Sequence, residues 1–248
     1  MERTPTRTPR PHVTARTAAV WHVLHRELHR HPDRELTVLD VGGGTGGFAV
    51  PLAEAGHRVT VVDASPDALA ALTRRAAETG VADRVTAVQG DGDALAGLIT
   101  PGSVDLILCH AVLEVVDDPA GVVAAIATAL RPGGAASILV AGRAAAVLSR
   151  AMTGHFDTAA GLLHDPAGRV AGRDTVRRRY DADSAATLLS AAGLTVEEIH
   201  GVRVFADLLP SVIAEADPQR LLELELAVAS LPPYRDIAAQ LHLFARRP

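Results

Sequence analysis

A single cysteine, Cys109, stands among 248 residues, so the chain has no internal disulfide and no cysteine-based zinc cluster. Lysine is absent altogether. All 24 basic residues are arginine and alanine is abundant, a bias we attribute to GC-rich coding before any function. No apolar run reaches the roughly 18 uncharged residues that a membrane-spanning helix needs. The arginine-rich start lacks the apolar segment of a secretory signal, so a cytoplasmic location is expected. Aromatic residues are few: one Trp, two Tyr and four Phe. With a net formal charge of −5 the chain as a whole is not a basic nucleic-acid binder, but the charge is uneven. Residues 1–34 hold seven Arg against three acids, and residues 169–180 hold five Arg against one.

What is present in quantity is apolar side chain, 48% of the total, enough for one large domain with a well-buried core. Apolar runs of strand length alternate with Ala/Leu-rich helical stretches, the pattern of a parallel sheet covered by helices. Strands are expected near 36–41, 58–62, 84–89, 104–109 and 134–140, with helices between them near 46–55, 66–79, 93–98 and 119–130. Ser65-Pro66 supplies an N-cap and a first-turn proline. Pro51 predicts that its helix starts late or bends, because an interior proline costs about 3 kcal/mol. Arg131-Pro-Gly-Gly134 reads as a turn. Residues 141–180 are rich in glycine and arginine with weak periodicity, and read as an insertion over a site. A helix near 182–192, a strand near 194–204, a helix near 210–229 and a strand near 239–246 complete the chain. The division expected is an N-terminal basic arm and helix over 1–34 and a main domain over 35–248.

The stretch Val38-Leu-Asp-Val-Gly-Gly-Gly-Thr-Gly-Gly47 is a strand that runs into a glycine loop. Such a loop, followed by a helix, presents unpaired backbone N–H groups and a positive dipole end at the sheet's carboxyl edge. Gly42, Gly44 and Gly47 fit G-x-G-x-x-G, which taken alone suggests a dinucleotide. Asp63, 21 residues after Gly42, is placed to accept both ribose hydroxyls of an adenosyl cofactor. Two features favour S-adenosylmethionine (SAM). Asp40 would face the ammonium of a methionine moiety and would repel a pyrophosphate. Gly90-Asp-Gly-Asp93 offers an acidic pair to the adenine amino group.

On these residues the chain resembles class I SAM-dependent methyltransferases: D-x-G-x-G-x-G is Asp40-Val-Gly42-Gly-Gly44-Thr-Gly46, followed by Asp63. The resemblance covers about residues 36–140. It implies an α/β fold with a Rossmann-like sheet of seven strands, mostly parallel with the last antiparallel, and helices on both faces. Further stretches resemble one subfamily, the bacterial tRNA 5-carboxymethoxyuridine methyltransferases. They are His110-Ala-Val-Leu-Glu114, Gly154-His-Phe-Asp157, Gly201-Val-Arg-Val-Phe205 with Asp207, Leu221-Leu-Glu-Leu-Glu225, Pro233-Tyr234, His242 and Ala245-Arg246. That resemblance implies SAM contacts from Arg16, Asp40, Gly42, Gly43, Gly44, Asp63, Ala64, Gly92, Asp93 and His110, and tRNA as a partner through segments 1–34 and 169–180. A small-molecule acceptor on the same fold is the alternative.

The chemistry fits these residue types. An ionised carboxylate is already a nucleophile toward a sulfonium methyl and needs no general base. Positioning then supplies the rate, worth about 7–11 kcal/mol of barrier. An arginine fork is the natural grip for the acceptor carboxylate, with Arg203 the first candidate and Arg143 the second. The alternative for Arg203 is a strand residue sharing a face with Gly201 and Phe205 that pairs only with Asp207 or Glu198. A flipped base needs a stacking surface, for which Phe156, Tyr180 and Tyr234 are candidates. His22, His25 and His29 share a helical face, but without a carboxylate partner they predict a surface or lid helix and no metal site. Leu221–Leu226 is expected to be a core-facing helix with Glu223 and Glu225 solvated.

Overall fold

A computed structural model describes residues 14–91, 95–169 and 176–248. Seven strands form one sheet of order β3-β2-β1-β4-β5-β7-β6: β1 (Thr37–Val41), β2 (Arg58–Asp63), β3 (Val85–Gln89), β4 (Val104–His110), β5 (Leu130–Ala141), β6 (Thr195–Val202) and β7 (Gln240–Arg246). The first five strands are mutually parallel, and β7 lies antiparallel between β5 and β6.

Successive side chains leave a strand on opposite faces, and the sheet is buried on both. Val38 of β1 therefore joins a core with α1 (Ala18–His29), α2 (Ala49–Glu54) and α3 (Pro66–Glu78), whereas Leu39 and Val41 join a second core. The second core also holds α5 (Pro119–Ala129) and α8 (Ala182–Ala191), with Leu95 from the short α4 (Leu95–Leu98). Between these faces the chain leaves β1 toward β2 and β3, then returns to the other side of β1 as β4. That reversal makes the crevice above β1 and β4 the place where ligands bind in such sheets.

Local sequence explains most boundaries. Ser65 Oγ accepts the Ala68 N–H at 3.2 Å and Pro66 opens α3. α2 begins only at Ala49, which leaves Pro51 in the first turn where its missing donor costs nothing. The turn at Arg131–Gly134 is absorbed into an irregular start of β5, where the β4 register shifts between Val104 and Leu106. The helix expected over 210–229 is two, α9 (Ser211–Ala216) and α10 (Pro218–Val228). Pro218 bars its predecessor from the helical region, and the Asp217 side chain caps α10 by accepting the Arg220 N–H at 3.1 Å.

Two further differences concern the flanks. Segment 141–180 is more regular than its composition suggests: α6 (Arg143–Met152) and α7 (Phe156–His164) form a hairpin about Gly154, whose φ is +79°. The helix α1 is no lid. Val20, Trp21, Val23 and Leu24 are buried in the first core, and Arg246 of β7 grips Glu27 through both terminal nitrogens at 3.0 Å.

Candidate active site

The β1–α2 turn is shaped by contacts that exclude side chains. Gly42, Gly44 and Gly46 have φ of +68°, +56° and +80°, the left-handed region that glycine enters freely. A Cβ on Gly43 would lie 2.5 Å from Asp40 Oδ2, and one on Gly42 would lie 2.4 Å from Val112 Cγ2. The turn thus sits directly on the Asp40 carboxylate and against the segment that follows β4. Beside it, Asp63 at the end of β2 accepts the Gly44 N–H through Oδ2 and the Ser65 N–H through Oδ1, both at 2.9 Å. These bonds fix the carboxylate at the pocket floor. Ala64 lies exposed next to it. Gly92 and Asp93 fall outside the described residues.

Asp40 is 2% exposed. Burial, with the nearby Asp63 charge adding to it, pushes its carboxyl up to about 7. A buried Asp40 with a second, half-buried acid beside it is what an ammonium-bearing nucleoside would relieve, so these residues fit SAM. A binding experiment follows from the sign. Below about pH 7 the free protein holds a proton on Asp40 that a cationic ligand must expel. SAM affinity is therefore expected to rise up to tenfold per pH unit toward pH 7 and level off above it. Calorimetry in buffers of different ionisation enthalpy should show proton release at low pH, and Asp40→Asn should remove both effects.

His110 ends β4, and burial lowers its imidazole to about 3, so it is neutral at physiological pH. Its Nε2 lies 2.9 Å from Ser137 Oγ, which lies 2.8 Å from His242 Nε2. One hydroxyl proton serves only one of these nitrogens, so the other imidazole donates to Ser137. Both Nδ1 atoms are buried without a partner among the described residues. Phe48 meets the His110 ring edge-on at 4.7 Å and stacks on Trp21 at 5.0 Å, which fixes His110 at the crevice. Burial also pushes the Cys109 thiol up, leaving it inert as a nucleophile.

Next to this pocket lies a cavity of about 600 Å³. Its walls come from Ala111 and Glu114 after β4, from α6, from Arg203 and Asp207 after β6, and from Gln240 at the start of β7. Because Val112 touches the glycine turn and Ala111 lines the cavity, the two spaces share one wall. Ala111 and Arg203 are the non-glycine residues with positive φ, +59° and +62°, among those described. Such backbone costs about 1–3 kcal/mol per residue and concentrates where function requires it.

The two arginines singled out from sequence separate here. Arg203 lines the cavity, where it pairs with Asp207, reaches Gln240 Oε1 at 3.4 Å and has no partner for its buried Nε among the described residues. It lies beyond the end of β6, so strand alternation does not set its direction. Arg143 instead pairs with Asp181 and donates to the Pro166 carbonyl at 3.4 Å, tying α6 to the start of α8. Arg16 pairs with Asp207, which lines the cavity, at 3.3 Å. Tyr180 is unsuited to stacking on a base, because its ring is buried and its hydroxyl donates to the Leu113 carbonyl at 3.0 Å. Phe156 and Tyr234 are exposed.

Glu225 was expected to be solvated, and it is 2% exposed. Its carboxylate accepts the N–H groups of Val204, Phe205 and Ala206 at 2.9, 2.8 and 2.8 Å. It therefore clamps the turn that carries Arg203. The missed signal is helical spacing, since Leu221, Glu225 and Val228 fall on one face of α10.

A seven-stranded sheet of this order, with an acidic glycine turn at its switch point, is the architecture of class I methyltransferases, which use SAM. Residues 39–138 match the family described as methyltransferase domain. Over 235 residues, 94% of this chain and 88% of the relative, the sequence is 34% identical to the tRNA 5-carboxymethoxyuridine methyltransferase of Escherichia coli K12. The chain belongs to that family of SAM-dependent methyltransferases. It is also 34% identical over 165 residues, 66% of this chain and 65% of the relative, to a ubiquinone biosynthesis O-methyltransferase of Xanthomonas euvesicatoria. A solved SAM-dependent methyltransferase from Mesorhizobium loti shares the fold at a TM-score of 0.61 and 22% identity, covering 92% of this chain and 98% of that one.

Proposed function

We propose that this enzyme transfers a methyl group to the carboxylate of 5-carboxymethoxyuridine at the tRNA wobble position, giving the methyl ester. The observation that carries this reading is the extent of the similarity. Covering 94% of the chain, it runs past the methyltransferase domain at residue 138 and through α6 and Arg203, which wall the acceptor cavity. Bound SAM supplies an electrophilic methyl group on a sulfonium. Asp40, Gly42, Gly43, Gly44, Asp63, Ala64 and His110 would hold that cofactor, and Gly92 and Asp93, outside the described residues, are the candidates for its adenine amino group. The remaining work is orientation: Arg203, with its free Nε, grips the acceptor carboxylate, and the half-buried cavity wall keeps water from competing. Arg143 acts at one remove, holding α6 in place through Asp181.

The tRNA phosphates are met by the arginines of segments 1–34 and 169–180. Three of those described are in exposed pairs: Arg26 with Glu198, Arg169 with Asp165 and Arg177 with Asp117. An exposed pair is worth only about 0–1 kcal/mol, so these guanidinium groups exchange a carboxylate for a phosphate at little cost. Neutralising about four phosphates would lower tRNA affinity roughly a hundredfold between about 50 and 200 mM salt. Filter binding across that range tests the surface, and salt-independent binding would remove it. For the reaction, purified protein is incubated with SAM and tRNA that lacks the ester, and nucleosides are analysed by mass spectrometry. Appearance of the methyl ester is expected. Methylation of a small carboxylate or phenol with none on tRNA would support the alternative, a metabolite O-methyltransferase, which the apolar stretch of cavity wall at Ala145, Met152, Leu208 and Ile237 also suits.

A further inference from the structure

The acceptor cavity contains a second acid that the reaction above does not use. Glu114 lines it, is 4% exposed, and its buried Oε2 has no hydrogen-bond partner among the described residues. Removing a charge from water without satisfying it is costly, and the group's answer is to stay protonated. Burial accordingly outweighs every nearby attraction and pushes this carboxyl up to about 7. Against burial stand backbone hydrogen bonds from Glu114 itself and from Ala141, and then the Arg179 charge. Of the groups that face Glu114, its own strand end contributes the buried Cys109, and the segment leading to α8 contributes Arg179 and the Tyr180 ring, with Arg177 and Arg178 donating backbone N–H to the Glu114 carbonyl at 2.9 and 3.2 Å. Across the cavity stand Arg203 and its partner Asp207. Arg179, the cation beside Glu114, also donates to the Gly168 carbonyl at 3.0 Å.

We propose that Glu114 is a specificity-determining residue for an anionic acceptor, its carboxyl proton donated in a hydrogen bond to the acceptor carboxylate that Arg203 grips. The inference rests on the carboxylate reading of the acceptor. An ionised Glu114 would repel that acceptor across a low-dielectric cavity, whereas a protonated one supplies the donor it lacks. No proton is transferred: it stays on Oε2, and the acceptor's other oxygen remains the nucleophile. Hydroxyl acceptors, which carry their own proton and no charge, gain less from the same arrangement. Binding an anion also raises the Glu114 carboxyl further, by the like-charge effect.

The test is a pH profile of methyl-ester formation on tRNA at saturating SAM, so that Asp40 drops out. For the wild type, kcat/KM for tRNA is expected to fall about tenfold per pH unit above pH 7, and the corresponding fall in kcat to lie at higher pH. Glu114→Gln keeps a donor of the same shape that does not ionise. It should retain kcat/KM within about threefold near neutrality and lose the alkaline fall. Glu114→Leu should raise KM for tRNA more than tenfold with a smaller change in kcat. A wild-type kcat/KM that stays flat, a fall that persists in Glu114→Gln, or falls in kcat and kcat/KM that coincide would each overturn the proposal. The wild-type profiles decide the matter alone if the variants do not fold. No ester at any pH would count against the acceptor, whereas ester formed with a flat profile counts against Glu114 alone.

Discussion

Gly43→Ala is expected to weaken SAM binding by about thirty- to a hundredfold, the equivalent of 2–3 kcal/mol. The reason is geometric. A Cβ at this position lies 2.5 Å from Asp40 Oδ2, 2.6 Å from its Cγ and 2.9 Å from Val61 Cγ1. Neither neighbour yields easily: Asp40 is buried beneath the turn, and Val61 is 0% exposed in the first core. Overpacking of this kind costs about 1–3 kcal/mol, and it displaces the carboxylate that faces the cofactor's ammonium. Stability and affinity therefore fall together. Gly47→Ala is the control, since a Cβ there meets nothing within 4 Å and the residue is exposed. Calorimetric titration of both variants with SAM checks the assignment. A Gly43→Ala protein that binds SAM within threefold of wild type would show that the turn is not the cofactor cradle.

The cradle was legible in the sequence because backbone geometry there is written in residue types. Glycines at positive φ, an acid before them and an acid at the next strand's end specify a turn with little latitude, and the strands around it read as apolar runs because both sheet faces are covered. The acceptor cavity is another matter. Its walls come from five places in the chain, and Glu114 acquires its character from burial against Tyr180 and Ala141, distant in sequence. Nothing in Val-Leu-Glu-Val announces that. Arg143 and Arg203 look equivalent as sequence, two arginines near strand ends, yet Asp181 captures one and the cavity receives the other. The α6–α7 hairpin was hidden by its glycines, of which Gly154 makes the turn between the helices. The break between α9 and α10 was there to be read in Asp217-Pro218 and was overridden by the apolar periodicity on either side.

Glu225→Ala is expected to destabilise the protein by about 3–5 kcal/mol and to uncouple acceptor turnover from cofactor binding. The carboxylate accepts three successive backbone N–H groups, those of Val204, Phe205 and Ala206, within a buried site. Truncation leaves all three donors without partners, and each carries a desolvation penalty of about 1–3 kcal/mol before relaxation. For a chain of this length the melting temperature should drop by roughly 10 °C. Glu225→Gln separates charge from shape. One carboxylate oxygen bonds Phe205 and Ala206 while the other bonds Val204, so the amide restores at most one side and aims an N–H at another N–H on the other. A smaller loss, about 2 kcal/mol, follows. The consequence for activity runs through Arg203, which enters the clamped turn with φ at +62°, a left-handed backbone that the three Glu225 bonds help to hold. In Glu225→Gln, kcat/KM for tRNA should fall at least tenfold while the Kd for SAM moves less than threefold, because the glycine turn and Asp63 share no contact with the clamp. Equal losses in both quantities would mean that the substitution acts by global unfolding, and unchanged turnover would mean that Arg203 does not hold the acceptor.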